Sequence, residues 1–347
     1  GPWTVHLVET SPRPSPAAVS PPLALAQEMA TVSARETLDI LHVHYALPHG
    51  PAALLARERL RKQGRRPPAL VTTLHGTDVT GVGNNGALAQ VRDTVLGSDA
   101  VLTPSAWLRR KAVELLGLPA QVRVDVLPNF VDPEAFHPLD NGAGEVPALF
   151  PALDWAPERR PSVLLHASNF RPVKRVGDAV RAFAEVRRVR PAVLVLVGDG
   201  PERAEVEALA SSLGVRDSVA FVGERRSLGD LFAHADVFLL PSDQESFGLA
   251  ALESLASGVP VVASDVGGVA EVVTQGETGW LVPPRNPQAM ARAVLSLLAD
   301  PARRRAMGRA ARASALARFQ PGPLVSRTEA LYRELLARPA TGTTSVR

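Results

Sequence analysis

The stretch "SDQESFGLAALESLASGVPVVAS", residues 242–264, sets two acids, Glu245 and Glu253, eight positions apart around a Phe-Gly-Leu turn. A helix beginning near Glu245 is expected to present the free N–H groups of Phe247, Gly248 and Leu249, and Gly248 lets a ligand come close to the backbone. Such a helix start favours phosphate oxygens. Eight helical residues rise about 12 Å and turn roughly 80° beyond two full turns, so the two carboxylates cannot grip one atom together. Each can accept hydrogen bonds from a separate hydroxyl-bearing ring. A nucleotide-sugar meets these requirements, with its diphosphate on the amides, its hexose at Glu245 and its ribose at Glu253. The plainer alternative is an acid favoured by the helix dipole and a second acid on a wet face.

A second cluster, "SNFRPVKR" (168–175), follows an apolar run. Arg171, Lys174 and Arg175 would supply the positive charge that a departing diphosphate needs. The chain has only three lysines, Lys62, Lys111 and Lys174, so one at this place is notable; a solvated loop is the competing reading. "VLVGDGPE" places Gly198 and Gly200 at the end of a buried strand, where a tight turn can face a ligand or merely be a turn. Neither it nor "GVGNNG" (81–86) is followed by the Gly-Lys-Ser/Thr of a P-loop. In the first half, "TTLHGTD" brings His75 to a strand end beside Thr73 and Asp78. A histidine there could orient a sugar hydroxyl or bond to loop backbone. "HVHYALPH" offers His42, His44, Tyr45 and His49; His42 and His44 share a strand face, but no carboxylate stands near to complete a metal site. Nowhere does the sequence read Asp-x-Asp, a pair often used to hold a metal on a nucleotide diphosphate. The reading therefore expects no cofactor and no metal.

These groups must be carried by strands and helices, and the pattern supplies them. Short β-branched runs alternate with longer helical stretches, the signature of parallel sheets covered on both faces. The expected strands are 3–9, 39–44, 69–75, 100–105 and 122–128, then 162–168, 192–198, 218–223, 237–242, 260–264 and 279–283. The Pro-, Gly- and acid-rich segment 136–160 reads as a linker. It separates residues 1–135, an acceptor-binding domain, from 161–320, a nucleotide-sugar-binding domain, followed by a helix over 321–338 and a disordered tail, 339–347. The fold class is α/β, with two doubly wound Rossmann-like domains facing a cleft. The polar clusters named above all follow strands, where ligands of such sheets bind.

Composition sets further bounds. The chain has 347 residues, 46% hydrophobic, enough for two cores. It has no cysteine, which removes disulfides, thiolate nucleophiles and sulfur-bound metals. A formal charge of +3 and an aromatic share of 5% speak against nucleic acid. The densest basic run, "PARRRAMGRAARASALARFQ", reads as the solvated side of an amphipathic helix. No apolar run spans a membrane and no signal peptide is evident, so a soluble cytoplasmic protein is expected.

"SFGLAALE" with its two acids, "GVPVVASDVGGVAEVV", "GETGWLVPP" and "VGDGPE" resemble the donor half of the retaining glycosyltransferases of family 4, whose fold is called GT-B. Within that family, "LDILHVHYALPHG", "VTTLHGTDVTGVG", "LPNFVD" and "SNFRPVKRVGDAVRAF" resemble the members that act on L-malate in bacillithiol biosynthesis. The resemblance implies transfer of N-acetylglucosamine from UDP-N-acetylglucosamine to the malate hydroxyl, with retention and without a metal. Glu245 would bind sugar hydroxyls, and the amides of Phe247, Gly248 and Leu249 sugar and phosphate. Glu253 would hold the ribose, Arg171 and Lys174 the diphosphate. His75 would stand beside the hexose, and Tyr45 and Thr73 would seat malate. Family members often carry Gly-Arg where this chain has Ser168-Asn169, which leaves Arg171 the less secure of the two cations. Members also begin with a strand, a Gly-rich turn and a helix that have no match here. The N-terminal domain is therefore read as truncated, and impaired malate binding and turnover are expected of the chain as it stands. The competing readings are a family 4 enzyme with another acceptor and a nucleotide-sugar-binding protein without turnover. Partners are confined to the two small substrates, with homo-oligomeric assembly left open.

Overall fold

In the computed structural model, residues 21–81, 85–138, 145–154, 156 and 160–338 are described. The expected strand at 3–9, most of the "GVGNNG" stretch and the tail at 339–347 lie outside them. The chain divides into two compact units, residues 1–127 with 325–347, and 128–324.

The first unit runs α1 (Pro21–Glu36), β1 (Ile40–His44), α2 (His49–Lys62), β2 (Ala69–Thr73), α3 (Thr77–Thr80), α4 (Asn85–Gly97), β3 (Ala100–Thr103), α5 (Ala106–Leu116) and β4 (Val124–Val126). Its strands form a parallel sheet in the order β1-β2-β3-β4, with Val43 beside Thr72 and His44 beside Thr73. Ser105 caps α5 by accepting from the Leu108 amide at 3.0 Å, and left-handed Gly117 ends it.

The second unit contains α6 (Glu145–Leu149), β5 (Ser162–Ala167), α7 (Val176–Val189), β6 (Ala192–Val197), α8 (Arg203–Ser212), β7 (Val219–Gly223), α9 (Gly229–His234) and β8 (Val237–Leu240). It continues through α10 (Leu249–Ala256), β9 (Val261–Ser264), α11 (Val269–Val272), β10 (Gly279–Val282), α12 (Pro287–Ala299) and α13 (Pro301–Arg318). The parallel sheet has the order β10-β9-β8-β5-β6-β7. β5 and β6 are buried at every residue, which explains their unbroken apolar sequence. Alternate side chains serve opposite faces. Val163, Leu165 and Ala167 join Leu252, Leu255 and Val269 on one side, while Leu164 joins Val180, Phe183 and Val294 on the other.

Three placements differ from the sequence reading. Val146 and Phe150 are buried in the second unit's core, so the segment read as a linker contributes to that unit, and Val131, read as part of the first domain, joins the same core. α14 (Pro321–Ala337) packs Leu331, Tyr332 and Leu335 on Val71 and Leu102 of the first unit. The basic α13 is more than a solvated face. Met307, Ala311 and Ala315 are buried, Arg304 binds buried Asp236 at 3.0 Å, and Arg312 donates to the Phe136 carbonyl at 2.9 Å. Among the described residues no helix is long and apolar enough to cross a membrane.

Candidate active site

Strand order places the second unit's candidate groups. From β5 the chain moves outward through β6 and β7; from β8 it moves the other way through β9 and β10. β5 and β8 are neighbours, with Leu164 beside Val237, so the direction of winding reverses between them. A crevice opens at such a switch point because the following helices go to opposite faces. The loop after β5 carries Arg171 and Lys174; the loop after β8 carries Glu245. Two motifs 71 positions apart are thereby brought together, and Lys174 Nζ donates to Glu245 Oε1 at 2.6 Å.

That pair is mostly shielded, the Lys174 side chain being 22% exposed and that of Glu245 11%. Ser242 Oγ donates to the same carboxylate oxygen at 2.9 Å. Backbone hydrogen bonds tie the loop to its neighbours. The Asp243 amide donates to the Val173 carbonyl at 2.8 Å, and the Gly268 amide donates to the Glu245 carbonyl at 2.9 Å. Gly267 permits the second contact, since a Cβ there would lie 1.8 Å from the Glu245 carbonyl oxygen. Arg171 is exposed and has no side-chain partner among the described residues. Arg175 is otherwise engaged: at φ +52° it turns its guanidinium to Asp178, with Nε 2.8 Å from Oδ2. Its expected role as a third phosphate-facing cation is therefore taken up by the start of α7.

The helix after the loop begins at Leu249, with Gly248 as its N-cap, rather than near Glu245. Only Glu253 is helical, and the geometry expected for a helix spanning both acids does not apply. Gly248 sits at φ +98° with room around an added Cβ, so backbone conformation, not space, requires glycine. No side chain caps this helix. The amides of Phe247, Gly248 and Leu249 have no acceptor among the described residues. The Phe247 ring is buried against Phe319, centroids 5.6 Å apart, so only its backbone is available for binding. Glu253 is half-buried with no side-chain partner among the described residues, and burial raises its pKa from 4.5 to about 7. A carboxylate desolvated without a partner is a costly arrangement that a hydroxyl-bearing ligand would relieve.

Gly198 and Gly200 are used by the protein itself. An added Cβ on Gly198 would lie 1.8 Å from the Ser168 carbonyl oxygen, and one on Gly200 2.7 Å from the Phe170 nitrogen. The glycines let the loop after β6 lie against the loop after β5, and the Phe170 amide donates to the Asp199 carbonyl at 2.8 Å. His166, which sequence reasoning missed, is fully buried beneath that loop. Its Nδ1 donates to the Leu239 carbonyl at 2.9 Å, and Ser168 Oγ donates to its Nε2 at 2.7 Å. Burial lowers its pKa to about 4, so it is neutral. A lone polar residue within "SVLLHAS" was the available signal. Ser242 had one too, the Ser-x-x-Glu spacing to Glu245.

In the first unit, His75, Tyr45 and Thr73 gather at the carboxyl ends of β1 and β2. Buried Asp78 laces the loops together, accepting from the amides of Ala46 (2.8 Å), His75 (3.0 Å) and Gly76 (2.9 Å). Tyr45, at φ +67° and 41% exposed, holds its ring 4.5 Å from that of His75. A bulky residue with positive φ is strained, and such strain concentrates at functional sites. His44 Nδ1 lies 2.9 Å from His75 Nε2, and burial followed by that neighbour lowers the His75 pKa. His42 stacks on His44 with centroids 4.6 Å apart. Among the described residues no group of three His, Cys, Asp or Glu side chains could hold a metal.

An unpaired cluster of amides, a carboxylate on either side of them and a lysine at a switch point define a site for a ligand that joins anionic and hydroxylated parts. Residues 154–314 match the family described as Glycosyl transferases group 1, and residues 3–135 match Glycosyltransferase Family 4. The chain is 38% identical over 315 residues to N-acetyl-alpha-D-glucosaminyl L-malate synthase of Bacillus anthracis, covering 90% of this chain and 79% of that one. It is 31% identical to a glycogen synthase of Mycobacterium tuberculosis, over 85% and 68% of the two chains. A solved sucrose-phosphate synthase from Thermosynechococcus elongatus superimposes with a TM-score of 0.75 at 26% identity, over 90% of this chain and 78% of that one. The chain belongs to the family 4 glycosyltransferases of GT-B fold, enzymes that draw on a nucleotide-sugar donor.

Proposed function

We propose that this glycosyltransferase moves N-acetylglucosamine from UDP-N-acetylglucosamine to the hydroxyl of L-malate, with retention at the anomeric carbon, as in bacillithiol biosynthesis. The observation that carries the donor side is the set of amides at Phe247, Gly248 and Leu249, flanked by Glu245 and Glu253, of which the amides and Glu253 have no partner among the described residues. The acceptor follows from the relative in Bacillus anthracis that bears this activity in its name.

In this reading the diphosphate lies on the amides, with Lys174 and exposed Arg171 balancing charge as the leaving group departs. Glu245 accepts from hexose hydroxyls and Glu253 from the ribose, each bond contributing about 1.5–3 kcal/mol. Gly198 and Gly200 shape the wall of the donor site through the backbone contacts they allow. Tyr45 and Thr73 seat malate, and neutral His75 orients a sugar hydroxyl. No side chain at the site is proposed as a covalent nucleophile. The anomeric carbon to phosphate oxygen bond breaks while the malate hydroxyl bonds to the same face of that carbon. The hydroxyl proton passes to the departing phosphate oxygen, giving UDP and the glycosylated hydroxy acid. Amides, Lys174 and Arg171 supply the countercharge, and the proposed reaction needs no divalent ion. The proposed location is the cytoplasm, a reducing compartment suited to a chain without cysteine.

The test is mass detection of product after incubation with UDP-N-acetylglucosamine and a panel of hydroxy acids and inositol phosphates. Product with L-malate above all others is expected. Product only with an inositol phosphate would replace the acceptor, and donor binding without product in a version extended at its N-terminus would favour a nucleotide-sugar-binding protein.

A further inference from the structure

The hydroxyl of Thr73 is tied into a chain of three side chains. Its Oγ1 lies 2.7 Å from His42 Nε2, and the other nitrogen of that ring, Nδ1, lies 2.5 Å from the phenolic oxygen of Tyr332. Tyr332 belongs to α14, 290 positions away in sequence, and is held by the packing of Leu331 and Leu335 on the sheet. Strand alternation puts Val71 and Thr73 on one face of β2, and Val71 packs with α14 on that face.

A neutral imidazole carries one proton, so it donates at one nitrogen and accepts at the other. Only two hydrogen-bond directions are then open to the chain. In one, Tyr332 donates to Nδ1, Nε2–H donates to Thr73, and the proton of Thr73 is left over for a ligand. In the other, Thr73 donates to Nε2, Nδ1–H donates to Tyr332, and Thr73 can only accept from a ligand. A phenol is a stronger donor and a weaker acceptor than an aliphatic hydroxyl, and Tyr332 has no other acceptor among the described residues. The first direction is therefore the favoured one. His42 is half-buried and lies against His44, and its pKa is lowered to about 4, by burial and then by His44 and His75. The ring thus stays neutral, with a single proton, throughout the neutral range.

We infer that Tyr332 and His42 are positioning residues of the acceptor site. Through the Tyr332–His42–Thr73 chain they fix the Thr73 hydroxyl as a hydrogen-bond donor, the polarity that recognises a carboxylate on the acceptor. The choice of acceptor rests on the proposed function; the direction of the chain does not.

Two measurements on this chain test the inference. Imidazole nitrogen NMR should find His42 as the Nε2–H tautomer, and Tyr332→Phe should shift it toward Nδ1–H. In the transferase assay, Tyr332→Phe should raise KM for L-malate about fivefold, and His42→Leu by tenfold or more, the loss of about one hydrogen bond to a charged group. Donor KM and kcat at saturating malate should change less than about twofold, a split that general damage to the fold would not produce. His42→Gln, whose amide can still donate to Thr73, should recover most of the malate affinity. An Nδ1–H tautomer in the unmodified chain would overturn the inference, as would an unchanged malate KM in both Tyr332→Phe and His42→Leu. If the unmodified chain glycosylates another acceptor in place of malate, the acceptor reading fails, and the tautomer result still decides the direction of the chain.

Discussion

Replacing Glu253 by glutamine isolates the cost of burying a carboxylate without a partner. Burial raises this group from 4.5 to about 7 in the folded chain, and at roughly 1.4 kcal/mol per pH unit this amounts to about 3 kcal/mol. The sign follows from which form burial disfavours. Below about pH 4.5 the group is protonated both folded and unfolded, and folding loses nothing. Stability falls as pH rises through about 7, above which the folded chain carries the full cost of ionisation. Glu253→Gln removes that cost, so in urea unfolding it should be more stable than the unmodified chain by up to about 3 kcal/mol at pH 9 and equal to it at pH 4. Donor binding should respond in the opposite sense. A ribose hydroxyl donates to the carboxylate and favours the ionised form, so affinity for UDP-N-acetylglucosamine should rise with pH up to about 7, with proton release in calorimetry. The glutamine variant should bind more weakly above pH 7 and lose the pH dependence. Equal unfolding free energies of the two proteins at pH 9, together with donor affinity flat between pH 5 and 8, would show that Glu253 carries no such burial cost and takes no part in donor binding.

Lys174→Ala and Glu245→Ala should each lower turnover by at least about tenfold, roughly 1.4 kcal/mol of barrier. Lys174→Ala should also destabilise the chain in urea, by an amount between that of an exposed pair, about 0–1 kcal/mol, and the 3–5 kcal/mol of a broken buried one. Gly248→Ala should cost about 1–2 kcal/mol of stability through its positive φ alone. Gly267→Ala should cost more, because its Cβ would lie 1.8 Å from the Glu245 carbonyl oxygen; thermal melting of the two variants checks the order. Turnover should survive a chelator, and loss of activity restored by a divalent ion would contradict the proposed metal independence.

The strands were legible because burial on both faces leaves an unbroken apolar run, as in Ser162–Ala167 and Ala192–Val197. The helix start was misplaced by four residues because an acid ahead of an apolar run mimics a first turn. Gly248 in a left-handed conformation is what sets the boundary. Arg175 reads as a phosphate ligand in the sequence, but in the fold its guanidinium is bound to Asp178. Val146 and Phe150 were hidden in a Pro- and Gly-rich stretch whose composition reads as linker. The pairing of Lys174 with Glu245 and of His42 with Tyr332 depends on strand order and on where α14 packs, and neither has a local signal in the chain. Ser242 and His166 had such signals: a serine three residues before an acid, and a polar side chain inside a buried strand.

In the proposed function, the amides of Phe247, Gly248 and Leu249 receive a diphosphate between Glu245 and Glu253. A crystal structure of the chain with UDP-N-acetylglucosamine tests it most directly. Phosphate oxygens are expected within hydrogen-bonding distance of those amides, with hexose hydroxyls on Glu245 and ribose hydroxyls on Glu253. A donor bound with its phosphates away from the start of α10 would contradict it.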